Sequence, residues 1–310
     1  MKKLISIVTP TFNEAENIKE LCEEISKKMG NFEYDYEHIV IDNSSTDDTI
    51  KILKELTKKN KKLKVIINKK NFGHIRSPIY GMFQASGDAI ILMMSDFQDP
   101  IELIDKYVKE WEKGSKVVMA QKDSAEENSL THKIKNIAYK FINKISDEKL
   151  LINTTGSGLY DKSIIDLIKK IDDPYPYFRG LISEITNEIK LIKYHQPKRL
   201  GGKTKNNFYT LYDIGILGIV KHSKIPLRLM TITGFIMSFL SLIVATIYFF
   251  WKILHWDSFD LGIAPIIIGL FTLGFFQIFI LGFIGEYVMN ILVHARKLPL
   301  VIEKERINFD

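Results

Sequence analysis

The fold of this 310-residue chain is decided by residues 89–100, AIILMMSDFQDP. The first six residues are all apolar, and the polar segment Ser95–Pro100 follows at once. A strand with apolar side chains on both faces is typical of a parallel sheet that is covered by helices on each side. The polar segment indicates a ligand site, because ligands of such sheets bind beyond the carboxyl ends of the strands.

The same pattern repeats on both sides of this stretch. Short apolar runs alternate with segments of helical periodicity, which predicts an α/β fold with a mostly parallel sheet. The predicted strands are residues 4–9, 38–41, 63–67, 89–94, 116–120, 153–160 and 189–195, and the predicted helices are residues 14–28, 49–56, 75–85, 101–111, 163–171 and 177–189.

Polar segments also follow two other predicted strands. Thr9–Glu14 and Asp42–Asp47 are polar and turn-like, as is Ser95–Pro100. Carboxylates gathered at one edge of the sheet could bind a divalent metal, which would neutralise a diphosphate. The alternative is that these residues only cap helices, since the same residue types are good N-caps. Each segment alone fits that alternative, but three segments at one sheet edge favour a site.

Two long uncharged segments exclude a purely soluble protein. Residues 229–251 and 261–285 are runs of 23 and 25 residues without a charged side chain, although the mean hydropathy of the whole chain is close to zero. At about 1.5 Å per residue, the shorter run forms a helix of roughly 34 Å, which is enough to cross a hydrocarbon core of about 30 Å. We therefore expect a hairpin of two transmembrane helices.

The positive charge of the chain lies immediately before the first of these runs. Residues 190–226 contain eight Lys or Arg and one Asp, a net charge of +7, whereas the whole chain carries +6. Such a segment fits anionic lipid headgroups or phosphates better than nucleic acid, and no nucleic-acid partner is expected. Alternatively, the charge only sets membrane orientation. The basic flanks predict that both termini and the α/β domain are cytoplasmic, with residues 208–221 as an amphipathic helix on the inner leaflet.

Six motifs occur in order along the chain: VTPTFNE (8–14), DNSSTDDT (42–49), NFG with GD (71–73 and 87–88), DFQDP (96–100), RG (179–180) and RLGGKTK (199–205). With the two apolar runs, they resemble the membrane-anchored branch of glycosyltransferase family 2, which includes dolichol-phosphate mannose synthases and bacterial polyprenyl-phosphate glycosyltransferases. The resemblance covers essentially the whole chain. It implies a GT-A fold, a Rossmann-like α/β domain with a mostly parallel sheet, followed by an amphipathic interface helix and two transmembrane helices.

The resemblance also implies domain boundaries and a location. A glycosyltransferase domain would occupy residues 1–206, an amphipathic juxtamembrane segment 207–226, a transmembrane hairpin 227–295 and a cytoplasmic tail 296–310. The protein would be a multi-pass protein of the bacterial inner membrane, with the lipid bilayer as a partner. Assembly as a homo-oligomer is left open.

The resemblance further implies roles for individual residues. Asp96 and Gln98 would bind Mg²⁺ or Mn²⁺ that bridges the diphosphate of the donor, and the candidate catalytic residues are Asp96, Asp99 and Glu184. Arg179, Arg199 and Lys205 would contact phosphate of the donor or of a lipid acceptor. The residues expected to bind the nucleotide-sugar are Pro10, Asn13, Glu14, Asp42, Ser44, Asn71 and Gly73.

The chain departs from the family pattern at three places. Met94 stands where the first Asp of the D-x-D motif is expected, and Asn43 replaces the second Asp of the nucleotide loop. The segment Gly156–Asp161 lacks the Asp and Arg of the family's G-D-F-R-L sequence. Losing one metal carboxylate should weaken metal binding or shift the coordination to water and phosphate, which Mg²⁺ sites tolerate.

These features predict the inverting transfer of a sugar from a nucleotide-sugar, best a UDP-sugar, to undecaprenyl (polyprenyl) phosphate at the cytoplasmic face. A phosphate monoester has a second pKa of about 6, so it is mostly dianionic at neutral pH and needs little help from a general base. A sugar hydroxyl would need such a base. Two alternatives stay open: transfer to a hydroxyl of a lipid-linked glycan in cell-envelope polysaccharide synthesis, and a catalytically dead nucleotide-sugar-binding scaffold.

Overall fold

A computed structural model of the chain describes residues 2–123, 154–197, 217, 220–221, 225–255 and 263–309. Two of the predicted phosphate contacts, Arg199 and Lys205, lie outside the described residues, as does most of the predicted amphipathic helix at 208–221. The boundary predicted at residue 206 therefore stays a prediction.

An eight-stranded sheet forms the centre of the α/β domain, in the order β7-β5-β6-β4-β1-β2-β3-β8. The four neighbouring strands β4, β1, β2 and β3 are all parallel, while β6 is antiparallel to both of its neighbours and β8 is antiparallel to β3. The strands are β1 (Leu4–Thr11), β2 (Asp35–Asp42), β3 (Leu63–Asn68), β4 (Ala89–Leu92), β5 (Val117–Lys122), β6 (Thr154–Asp161), β7 (Ile189–Tyr194) and β8 (Glu303–Ile307).

Helices alternate with the strands from β1 to β5, as the sequence predicts. They are α1 (Ile18–Met29), α2 (Thr49–Lys59), α3 (Gly73–Phe83), α4 (Leu103–Glu112), α5 (Lys162–Ile171), α6 (Phe178–Ile185), α7 (Ile225–Leu254) and α8 (Ile263–Ala295). This alternation, with a mostly parallel sheet, confirms the predicted GT-A-like α/β fold.

The uninterrupted apolar sequence of β4 follows from its position in the sheet. Ala89 and Ile91 pack into the hydrophobic core on one face, together with Ile7 of β1. Ile90 and Leu92 pack into the core on the opposite face. Because successive side chains of a strand point to opposite faces, a strand that is buried on both faces must be apolar at every position.

The C-terminal residues add an edge strand that the sequence analysis does not predict. Residues 296–310 were expected to form a tail, but Glu303–Ile307 pairs with β3 as the last strand of the sheet. Four consecutive charged residues, EKER, give no apolar periodicity that would indicate a strand. Charged side chains are nevertheless well suited to an edge. Here Glu305 accepts a hydrogen bond from Lys54 at 2.6 Å, and Glu303 accepts one from Tyr80 at 2.9 Å.

The two C-terminal helices expose most of their large apolar side chains. Within the described part of the chain, one segment, Thr272–Ala295 of α8, is long and apolar enough by length and composition to cross a bilayer. The apolar stretch of α7 that stands out by the same criterion is shorter, Ile225–Leu240. The prediction of a membrane-spanning segment is thus supported for α8, and the second span stays a proposal.

Asn308 holds β8 in place and gives a test of this edge strand. Its side-chain amide donates to the carbonyl oxygens of Thr57 and Leu63, at 3.0 and 2.9 Å, and its backbone has a φ of 60°, which Asn tolerates better than Ala. We expect Asn308→Ala to lower the free energy of unfolding by about 1–3 kcal/mol, because two carbonyl groups lose their partner. Thermal or chemical denaturation of the detergent-solubilised protein measures this change.

The matched control is Lys304→Ala, a change at an exposed position of the same strand. It should alter the free energy of unfolding by less than about 0.5 kcal/mol. Equal effects of the two substitutions would contradict the docking of the C-terminal strand through Asn308.

Candidate active site

The parallel strands bring the predicted donor-binding loops to one edge of the sheet. At the carboxyl ends, Thr11 of β1 lies opposite Asp42 of β2, and Asp42 lies opposite Ile67 of β3. On the other side of β1, Val8 lies opposite Leu92 of β4. The loops that follow β1, β2, β3 and β4 are therefore neighbours. These loops and the strand and helix ends beside them contain the predicted donor and metal residues up to residue 98, with Pro10 and Asp42 at the ends of β1 and β2 and Gly73 at the start of α3.

Three of these loops contain a non-glycine residue in the left-handed backbone region. The φ angles are 54° at Asn13, 66° at Ser44 and 57° at Phe97, after β1, β2 and β4 respectively. Such conformations are uncommon, especially for Phe, and they persist where the surrounding structure enforces them. The concentration of these three residues at one sheet edge supports a functional site there. No sequence pattern indicates the left-handed conformation of Ser44 or Phe97.

Hydrogen bonds join the β1–α1 loop to the β2–α2 loop. The Asn13 backbone N–H donates to Ser45 Oγ at 2.8 Å, and Asn13 Oδ1 accepts from the Thr46 N–H at 2.7 Å. The Glu14 N–H donates to Thr49 Oγ1 at 2.9 Å, and the buried Glu14 carboxylate accepts from Asn17. Asn13 and Glu14 thus build the frame of the site, and direct contact with a donor stays a prediction for both.

Asp42 lies beneath this frame and not on its surface. Its side chain is fully buried at the end of β2, where one carboxylate oxygen accepts from the Ser45 N–H at 2.9 Å and the other accepts from the Ser45 hydroxyl. Burial raises the pKa of Asp42, and the hydrogen bonds from Ser45 oppose this shift. In this arrangement Asp42 orients the turn that carries Ser44, which is partly exposed.

Asn43 connects the β2–α2 loop to the β3–α3 loop. Its side-chain amide accepts two hydrogen bonds and donates two. Its Oδ1 accepts from the Phe72 N–H at 2.8 Å and from Asn68 Nδ2 at 3.0 Å. Its Nδ2 donates to Asn71 Oδ1 at 2.8 Å and to the Gly73 carbonyl at 3.2 Å. A carboxylate could replace the acceptor but not the donor. This network gives a physical reason for Asn at the position where the family pattern has Asp.

Asp96 and Gln98 occupy the β4–α4 loop and are both partly exposed. The Gln98 N–H donates to Asp96 Oδ1 at 3.2 Å, which holds the two residues in one turn around Phe97. Among the described residues, no group of three or more His, Cys, Asp or Glu side chains could hold a metal. One carboxylate and one amide oxygen fit Mg²⁺, which typically takes one or two protein ligands and completes its shell with water and phosphate.

Asp99 lies in the interior, only 2% exposed, although it is close in sequence to Asp96. Its Oδ1 accepts from the Tyr194 hydroxyl of β7 at 2.8 Å. Burial raises the pKa of Asp99, while hydrogen bonds from Tyr194 and Ser157 oppose this shift. This geometry favours a positioning role for Asp99, which ties the end of the β4–α4 loop to β7, over the role of an accessible base.

The segment that lacks the family's Asp and Arg forms the buried strand β6. A Cβ atom on Gly158 would lie 2.2 Å from the Val118 carbonyl oxygen, so only glycine fits there. Gly156 has a φ of 87°, which also favours glycine. Asp161 caps α5 through Ser163 and accepts from Trp111 Nε1 at 2.9 Å. These residues stabilise the sheet and the start of α5, and none of them takes the place of the missing Asp and Arg side chains.

Pro10 is the partly exposed next-to-last residue of β1, and contact with a donor stays a prediction for it, whereas Arg179 and Glu184 lie on α6. Arg179 donates from Nη1 to the Thr154 carbonyl at 2.7 Å, and its guanidinium carbon lies 5.4 Å from the centroid of the Tyr177 ring. Glu184 is exposed one turn further along the same helix. Their roles in phosphate binding and in catalysis stay predictions.

Comparison with known sequences places this chain among glycosyltransferases. The profile of the family described as "Glycosyl transferase family 2" matches residues 6–168. The chain is 32% identical over 304 residues to the "Putative glycosyltransferase CsbB" of Bacillus subtilis, covering 97% of this chain and 92% of that protein. It is 29% identical over 304 residues to the "Prophage bactoprenol glucosyl transferase homolog" of Escherichia coli, covering 97% and 98%.

The fold also resembles a solved structure. It matches the glucosyl-3-phosphoglycerate synthase of Mycobacterium tuberculosis, crystallised with Mn²⁺, UDP and glucosyl-3-phosphoglycerate, with a TM-score of 0.51 and 17% identity. The match covers 70% of this chain and 78% of that protein. At this level of identity the likeness concerns the fold alone.

The Asn43 network predicts the effect of restoring the acid at this position. In Asn43→Asp, the second carboxylate oxygen would face two acceptors, Asn71 Oδ1 and the Gly73 carbonyl. We expect the free energy of unfolding to fall by about 1–3 kcal/mol, because two partly buried hydrogen bonds are lost and a charge faces acceptors. Equilibrium denaturation measures this change.

Asn31→Asp, at an exposed position, is the matched control and should be neutral. If Asn43→Asp unfolds at the same denaturant concentration as the wild type and the control, the amide is not the link between the two loops.

Proposed function

Because the chain belongs to glycosyl transferase family 2 and is a glycosyltransferase, we propose that it transfers a sugar from a UDP-sugar to polyprenyl phosphate at the cytoplasmic face of a bacterial membrane. The observation that carries the proposal is the extent of similarity to relatives named bactoprenol glucosyl transferase. One of them, from Shigella phage SfII, is 28% identical over 97% of this chain and 97% of its own length. Similarity over that share of the chain extends across both apolar helices.

The donor would bind at the carboxyl edge of the sheet, on the frame made by the loops after β1, β2 and β3. Asp96 and Gln98 would hold Mg²⁺ or Mn²⁺ there. When bound, the metal supplies positive charge that neutralises the diphosphate of the donor. UDP-glucose is the first donor to test, since the relatives are named as glucosyl transferases.

The acceptor chemistry suits a site that has few accessible bases. A phosphate oxygen of the lipid would attack the anomeric carbon from the face opposite the nucleotide, and the bond from that carbon to the diphosphate would break with release of UDP. The configuration at the anomeric carbon is then inverted. Because a phosphate monoester is already mostly dianionic at neutral pH, the buried position of Asp99 is no obstacle.

The topology of the sheet supports a hairpin of two membrane-crossing helices. β1 and β8 are strands of one sheet, and α7 and α8 lie between them in the chain. A chain that leaves a sheet and returns to it must cross a bilayer an even number of times. With α8 as one span, we propose that α7 is the second. The basic residues that flank the pair support a cytoplasmic position for the sheet and both termini, because cytoplasmic flanks of membrane spans are enriched in Lys and Arg.

A substitution of Asp96 tests the metal and donor roles together. With undecaprenyl phosphate and UDP-glucose in lipid nanodiscs, we expect Asp96→Asn to lower the transfer rate by at least about 10²-fold, because the carboxylate of the metal site is lost. Chelation by EDTA should stop the wild-type reaction, and added Mg²⁺ or Mn²⁺ should restore it. Radiolabelled sugar in the lipid fraction measures the transfer.

Asp166→Asn, at an exposed position of α5, is the matched control and should retain wild-type activity. If wild-type protein transfers sugar from none of a panel of UDP-, GDP- and dTDP-sugars to the lipid phosphate but does transfer it to a lipid-linked glycan, the acceptor is a hydroxyl. Donor binding without turnover on any acceptor would indicate the scaffold.

A further inference from the structure

A buried cluster of charges joins the α5–α6 loop to the segment that leads into α7. Asp173 in this loop and Lys221, four residues before α7, have side chains that are only 9% and 7% exposed. Lys221 Nζ lies 2.8 and 2.7 Å from the two carboxylate oxygens of Asp173 and 2.6 Å from the Tyr175 carbonyl oxygen. The ammonium group therefore finds an acceptor for each of its three N–H bonds.

The same carboxylate also reaches the end of α8. His294 Nε2 lies 3.2 Å from Asp173 Oδ1, and His294 Nδ1 lies 2.9 Å from the Asn290 carbonyl oxygen. The Asp173 carboxylate and the Asn290 carbonyl oxygen thus lie next to the two ring nitrogens of His294. A single carboxylate of the α/β domain therefore contacts Lys221, which precedes one apolar helix, and His294 near the end of the other.

Burying such an ion pair brings little net stability, because desolvation offsets most of the attraction between the charges. Burial lowers the pKa of Lys221, while the hydrogen bond from Lys221 to Asp173 opposes this shift. Asp172, the neighbour of Asp173, ends α5 in the left-handed backbone region, with a φ of 53°. An arrangement that brings little net stability but holds Lys221 by three acceptors points to a role in orientation.

A second contact joins α3 to the segment that follows α8. Arg76 of α3 donates to the Pro299 carbonyl, four residues after the end of α8. The helix α3 begins at Gly73, whose carbonyl accepts from Asn43 in the donor frame. On the other side, the Asp173 loop leads directly into α6, which carries Arg179. The bases of the two apolar helices are therefore tied to both sides of the candidate active site.

We propose that Asp173, Lys221 and His294 form a clamp that fixes the catalytic domain on the helix pair, so that a lipid phosphate emerging from the bilayer meets the bound donor in one orientation. The expected effect of the clamp on sugar transfer rests on the proposed function, whereas the contacts themselves do not. Its three residues are positioning residues, because they act through the placement of α6 and the apolar helices.

The clamp predicts a selective loss of acceptor use when the charge of Lys221 is removed. Lys221→Met keeps most of the side-chain volume and leaves Asp173 without its ammonium partner. We expect kcat/KM for polyprenyl phosphate to fall about 10- to 100-fold, because misplacement by about 1 Å has effects of that size. The KM for the nucleotide-sugar should stay within about twofold of the wild-type value, since the donor frame lies on other loops.

Three further variants separate this role from general destabilisation. Lys221→Arg, whose guanidinium can pair with the carboxylate, should retain most of the acceptor kinetics. Asp173→Asn should reproduce the loss, and combined with Lys221→Met it should add little, because both remove the same interaction. Lys62→Met removes the exposed pair with Asp35 and should change neither substrate's kinetics.

Hydrogen–deuterium exchange tests the clamp without any turnover. In Lys221→Met, residues 172–181 and 289–295 should exchange faster than in the wild type, while residues 35–49 should be unchanged. If the wild-type protein does not use polyprenyl phosphate, the proposed function fails and the exchange result alone decides the clamp. Unchanged exchange in residues 172–181 and 289–295 overturns the clamp, as does faster exchange together with unchanged acceptor kinetics. An equal loss for donor and acceptor with faster exchange throughout the domain also overturns it.

Discussion

The pairing of β8 with β3 constrains the whole molecule. The strand β8 lies in the same sheet as β7, so the part of the chain between β7 and β8 leaves the sheet and returns to it. The apolar helices α7 and α8 form that excursion. The edge position of β8 explains its composition. Charged side chains are tolerated there because one edge of the strand has no neighbouring strand. A membrane-crossing α8 therefore requires an even number of crossings.

The candidate active site depends on a different kind of constraint. Its loops are short and polar, and they are held by hydrogen bonds between loops more than within them. Asn43 bonds three residues of the β3–α3 loop, and Asn13 bonds two of the β2–α2 loop. The buried Asp42 supports the same turn from below. Loops held in this way are preorganised, so the proposed donor site would lose little conformational entropy when a ligand binds.

The parts of the fold that follow from periodicity were predictable from the sequence. The apolar stretch at residues 89–94 and its neighbours predict the parallel sheet, because burial on both faces leaves a direct trace in the residue types. The strand β8 was not predictable, since EKER contains no apolar alternation. The antiparallel direction of β6 was not predictable either, because strand direction depends on the connection at 124–153 and not on the residues of the strand.

The candidate site was predictable in its location but not in its bonding. Motifs at the strand ends place Asn13, Asp42 and Asp96 near one edge, as the register of β1 and β2 requires. No local pattern indicates that Asn43 donates to Asn71, or that Asp173 pairs with a lysine 48 residues later. Such pairs join distant segments, and they become visible only when the packing of the elements is known.

The product of the reaction decides whether lipid phosphate accepts the sugar. Wild-type protein in liposomes that contain undecaprenyl phosphate would be given UDP-glucose, and the extracted lipid would be examined by mass spectrometry and by phosphorus and proton NMR. We expect a lipid-linked hexosyl phosphodiester whose anomeric configuration is opposite to that of the donor. Free glucose with UDP as the only products, or a phosphodiester that retains the donor configuration, would contradict it.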